Sequence, residues 1–135
     1  MRRPTLLGLI VFAALDACVR TTAVTEPELV TGGEGVLAVG ATLRVSGTDV
    51  RIGVEQIADS RCPADVTCVR AGEAVVSLRL SGAGADRRDT LRIGGEPRQT
   101  SYGAHEIMLV DVRPYPRTTD TERKPSAVLR VERMR

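Results

Sequence analysis

The chain has 135 residues, with 19 Lys plus Arg against 17 Asp plus Glu and a net charge of +2. That length fits one compact domain, and the 27% charged content excludes both a low-complexity tail and a multispan membrane protein. Near-balanced charge and 2% aromatics (Phe12, Tyr102, Tyr115 and no Trp) speak against nucleic acid as a partner, because neither a basic field nor stacking platforms are available.

Met1, Arg2 and Arg3 give a positive start, and the apolar run Leu6 to Leu15 follows. At roughly 1.5 Å per residue this run spans about 15 Å, half of a bilayer's hydrocarbon core, so an export signal fits better than a spanning helix. Leu15-Asp16-Ala17-Cys18 then resembles the bacterial lipobox, in which an apolar residue and two mostly small ones precede a Cys that is lipidated and becomes the new N-terminus. Asp16 departs from the small uncharged residue usual at its position. The resemblance implies a signal peptide over residues 1–17 and acylation of Cys18. Several acyl chains, at about 0.8 kcal/mol per buried CH₂, would hold the protein on a membrane without a spanning segment. Val19 stands where an Asp would signal inner-membrane retention, which implies the outer membrane of a diderm envelope. Residues 18–34 are rich in Thr, show no sustained apolar period and read as the lipidated N-terminus and a flexible tether. A single β-domain is expected over residues 35–135.

Within that domain, Leu43 and Val45 alternate before a turn at Ser46-Gly47-Thr48-Asp49. Val50, Ile52 and Val54 share one face, opposite Arg51, Gly53 and Glu55. Ile57 falls out of phase, which predicts a bulge near Glu55-Gln56. Cys62 and Cys68 come next, in a chain whose export would let disulfides persist. The segment C-P-A-D-V-T-C would close a short loop contributing about 2.4 kcal/mol by loop entropy. Its spacing lacks the two-residue separation and helix N-terminus of redox-active pairs, so it reads as a staple between strands. Val76, Leu78 and Leu80 form another apolar face. Leu91 and Ile93 repeat the pattern briefly after Gly82-Ala83-Gly84. Ile107 to Val112 is apolar on both faces except at Asp111, as expected of a central strand, and Leu129 and Val131 close the chain. Short strands with turns between them predict an all-β fold, a small antiparallel β-sandwich or barrel of about six to eight short strands with one disulfide-stapled loop. Its core is expected to consist of Val, Leu, Ile and Ala.

Asp59-Ser60-Arg61-Cys62-Pro63, Val66-Thr67-Cys68-Val69 and Ala71-Gly72-Glu73-Ala74, together with Leu109 to Pro116 and Lys124-Pro125, carry a resemblance. The chain resembles a family of uncharacterised small bacterial exported or lipoprotein domains, over roughly residues 36 to 132. The family implies a small exported domain and no established reaction. Members often carry Trp where this chain has Arg70, so what that aromatic packs against differs here.

Chemistry-bearing residues are sparse. His105 is the single His, so a zinc site of several imidazoles is not expected. As a general base it would need a nucleophile and an orienting acid, for which Ser101 and Asp111 are the neighbours in sequence. Its plainer reading is a polar strand-edge residue beside Glu106. Asp59, Asp65 and Glu73 flank the disulfide loop, but their spacing does not match a calcium-binding loop. Gly32, Gly33 and Gly35 lack the strand-then-helix setting of a phosphate cradle. No metal and no cofactor are expected.

These readings lead to a lipid-anchored envelope β-domain, non-enzymatic, acting by contact with an envelope protein or glycan. The candidate surface is Asp59, Arg61, Asp65, Arg70 and Glu73, on a loop that a staple would preorganise. The rival is a small envelope hydrolase using His105 with Asp111.

Overall fold

A computed structural model describes residues 26–135, so the signal, Cys18 and most of the tether lie outside the described residues. Nine strands form in the described part: β1 (Glu28–Leu29), β2 (Glu34–Ala38), β3 (Thr42–Val45), β4 (Arg51–Asp59), β5 (Ala74–Ser81), β6 (Arg87–Ile93), β7 (Gln99–Tyr102), β8 (His105–Arg113) and β9 (Ser126–Arg133). They make two sheets, one in the order β1-β3-β4-β5-β6 and the other β2-β9-β8-β7. The alternating positions fall inward from both sheets. Leu43, Ile52, Val54, Val76, Leu78 and Leu80 meet Ile107, Leu109, Val112, Leu129 and Val131 in one core cluster. The expected all-β architecture of short strands is therefore what the sequence forms.

All pairings are antiparallel except one, since β1 joins β3 in parallel register through Glu28↔Arg44 and Leu29↔Val45. Leu29 is buried in the core, so the tether expected over residues 18–34 ends earlier, and Glu28 onward belongs to the domain. Two residues, one polar and one apolar, are too short a run to show a period, which is why this strand is silent in the sequence. Tyr102 also joins the otherwise aliphatic core, with its hydroxyl 3.2 Å from the Ala85 carbonyl oxygen.

The predicted irregularity in β4 is present. Register shifts between Val54 and Gln56, which turns Ile57 out of phase with Val54. A second shift falls in β8 between Leu109 and Asp111. Before it His105, Ile107 and Leu109 face inward. After it Val112 does, and Asp111 is turned to the other face. β8 lies between β9 and β7, but β7 pairs with it only from Gln99↔Met108 to Tyr102↔His105. Beyond that limit arginines occupy strand carbonyls: Arg98 donates to the Leu109 and Val110 oxygens at 3.1 and 2.9 Å. Arg61 donates to the Val112 oxygen at 2.6 Å.

Candidate functional site

The β4–β5 hairpin continues past its strands into the stapled loop. Asp59 pairs with Ala74, the Ser60 amide donates to the Glu73 carbonyl at 2.9 Å, and the Cys62 amide donates to the Ala71 carbonyl at 2.7 Å. Gly72 makes this close approach feasible. It has φ +69°, and a Cβ there would lie 2.0 Å from the Ser60 carbonyl oxygen. Above that base Cys62 and Cys68 are bonded, with their Cα atoms 5.9 Å apart.

At the foot of the loop sits a buried ion-pair network. The side chains of Asp59 and Arg61 are 1% and 5% exposed. Arg61 grips Asp59 with a two-pronged fork, Nε to Oδ1 at 2.9 Å and Nη2 to Oδ2 at 2.8 Å. The same guanidinium faces Asp111 across the sandwich at 3.5 Å and lies 4.4 Å from the centre of the Tyr115 ring. Arg123 completes the set with Nη1 donating to Asp59 Oδ2 at 2.8 Å and to the Pro114 carbonyl at 2.9 Å. Burial works against the charge on Asp59, but the hydrogen bonds from Arg61 and Arg123 outweigh it and hold the carboxyl below its usual range. Asp111 behaves alike: burial opposes its charge, while hydrogen bonds from Arg113 and the Val112 amide, with the Arg61 charge, lower its pKa. The hydrogen bond to Asp59 in turn raises the pKa of Arg61.

The β8–β9 connection, residues 114–125, leans on the stapled loop. The Ala64 amide donates to the Pro116 carbonyl at 2.9 Å. Asp65 accepts the Thr118 amide at 3.0 Å, and also the Thr118 hydroxyl. These bonds to Thr118 lower the Asp65 pKa. The connection curls round an open cleft of about 500 Å³, whose lining includes Tyr115, Arg117, Asp120, Glu122 and Arg123. Of the large apolar side chains in the loop and the connection, Val66, Val69 and Tyr115 are exposed, and Val69 is wholly so.

The predicted surface thus divides. Asp59 and Arg61 are not surface residues, because Asp111, Val112, Tyr115 and Arg123 fold over them from more than 45 residues downstream. Glu73 is half-buried and bound to Arg92 at 2.6 Å. Asp65 is exposed but committed to Thr118, and Arg70 is exposed. Arg123, Thr118 and the two valines escaped the sequence reading. The Pro114-Tyr115-Pro116 triplet, placing one of three aromatics between prolines, was the available signal for this region.

His105 and Asp111 do not meet. They lie on one strand roughly 20 Å apart at about 3.3 Å per residue, with the β8 bulge between them. His105 opens β8, which is a central strand rather than an edge one; it is buried there, and its Nδ1 has no hydrogen-bond partner among the described residues. No group of three or more His, Cys, Asp or Glu side chains suited to a metal ion occurs among the described residues.

Comparison of the chain with protein-family models, with curated proteins and with solved structures found no match.

Proposed function

We propose that this protein is a lipid-anchored β-domain of the bacterial envelope that works by recognition rather than catalysis. The observation that carries the reading is Val69, a wholly exposed apolar side chain displayed beside Val66 on a loop closed by a disulfide. A loop fixed before contact loses little entropy on binding, and apolar groups held out in water gain by being covered. Arg70, next to Val69 in the chain and also exposed, adds a polar group to the displayed loop. An envelope protein or glycan is the partner class. The leader and the sequence around Cys18 support export and anchoring, and the resemblance over residues 36 to 132 points to the same compartment.

Two measurements test this. Protein in its native host, wild type or carrying Val69→Asp with Arg70→Glu, is cross-linked and its partners identified. One partner captured by the wild type and lost in the variant supports the reading, and identical partner sets refute it. Separately, Cys18→Ala should move the protein from the membrane fraction to the soluble one, and unchanged fractionation would remove the anchor.

A further inference from the structure

We infer that the Cys62–Cys68 bond is a redox-set latch on the cleft of the 114–125 connection. Two groups of contacts hold that connection, and they differ in their dependence on the disulfide. Its ends are pinned by Arg61 against Tyr115 and by Arg123 against Asp59 and the Pro114 carbonyl. Asp59 ends β4 and Arg61 follows it; both precede the ring that the disulfide closes, are buried, and are held by each other and by the Val112 carbonyl and Arg123. Its middle is pinned by Ala64 to Pro116 and by Asp65 to Thr118. Ala64 and Asp65 lie inside the ring and are exposed, and among the described residues only a 3.3 Å turn contact from the Val66 amide to the Pro63 carbonyl adds order there.

Opening the disulfide therefore frees Ala64 and Asp65 while leaving the base of the loop paired through Cys62 and Ala71. The Pro116–Thr118 side of the cleft is released, and its Tyr115 and Arg123 ends stay in place. The reductant is a dithiol. One of its thiolates attacks a sulfur of the pair to give a mixed disulfide and a protein thiolate. Its second thiol then displaces the other protein sulfur, leaving two cysteine thiols and an oxidised dithiol. Cys68 is exposed and Cys62 half-buried, so the bond is open to attack from the Cys68 side.

The biological use of this latch rests on the binding reading above, but the test reads the loop alone. Amide hydrogen exchange is followed on the oxidised protein, on the protein reduced with dithiothreitol, and on oxidised Asp65→Ala. Reduction should speed exchange of the Thr118 amide by roughly tenfold or more, the loss of its hydrogen bond, while the β8 and β9 amides keep their protection. Asp65→Ala should speed the same amide with the sulfurs untouched. Unchanged exchange at Thr118 in either arm overturns the inference. So does a loss of protection throughout the sheets on reduction, which would make the staple a support for the whole domain. Failure of the binding reading would show instead in the partner comparison.

Discussion

Arg61→Ala is the sharpest test of the buried network. The substitution strips Asp59 of a two-pronged partner, leaves the Val112 carbonyl without its 2.6 Å donor, and removes the cation from the Tyr115 ring. Breaking one side of a buried ion pair costs about 3–5 kcal/mol, because the surviving charge is stranded away from water. Arg123 remains on Asp59 at 2.8 Å, which places the expected loss near the lower end, about 3 kcal/mol. For a domain whose total stability is about 5–15 kcal/mol that is a large fraction, and it corresponds to a fall in Tm of about 12 °C or more. Urea denaturation of the protein followed by circular dichroism measures it directly. The control is Arg70→Ala in the same loop, an exposed arginine whose removal should change stability by less than about 0.5 kcal/mol. Equal urea midpoints for the two variants would refute the assignment of Arg61 to the interior.

Acid should weaken the fold through the same carboxylates. Asp59 and Asp111 have folded pKa values below the ordinary carboxylate value. Their stabilising contribution is thus complete above about pH 4 and is lost as pH falls through the depressed folded values. Urea midpoints taken from pH 6 down to pH 2 should decline more steeply for wild type than for Asp59→Asn, and parallel curves would contradict this. Gly72→Ala should cost about 2 kcal/mol or more, since its Cβ would meet the Ser60 carbonyl at 2.0 Å. Gly40→Ala, with φ +84° and nothing within 4 Å of the added carbon, should cost only about 1 kcal/mol. Thermal melts that rank the two in the opposite order would argue against the hairpin geometry.

How far the sequence could be read depends on the range of each interaction. Val50, Ile52 and Val54, and likewise Val76, Leu78 and Leu80, are legible because burial of one sheet face writes a period of two into the chain. The β4 bulge is legible for the same reason, as a break in that period at Ile57. β7, Gln-Thr-Ser-Tyr, lies at a sheet edge and buries only its last residue, so it has no period to show. The second bulge hides inside Leu109-Val110-Asp111, where apolar residues on both faces conceal the change of phase. Asp59 and Arg61 read as exposed because charged residues beside a turn ordinarily are. Their burial is decided by Asp111, Tyr115 and Arg123, residues that no local pattern connects to them. The disulfide was legible because its two sulfurs are close in sequence. The loop that rests on it was not, since Asp65 and Thr118 are joined only by the fold.

The arginines lying along β8 have a consequence for the stretch of that strand that β7 leaves uncovered. A strand whose neighbour stops short ordinarily offers a row of acceptors to any extended polypeptide drifting past, which is how native sheets are recruited into fibres. Here the guanidinium groups of Arg98 and Arg61 already fill the acceptors at Leu109, Val110 and Val112. They do so with side chains that also carry positive charge outward or into an ion pair. A passing chain finds those acceptors taken, so this stretch of β8 does not template pairing with a further strand.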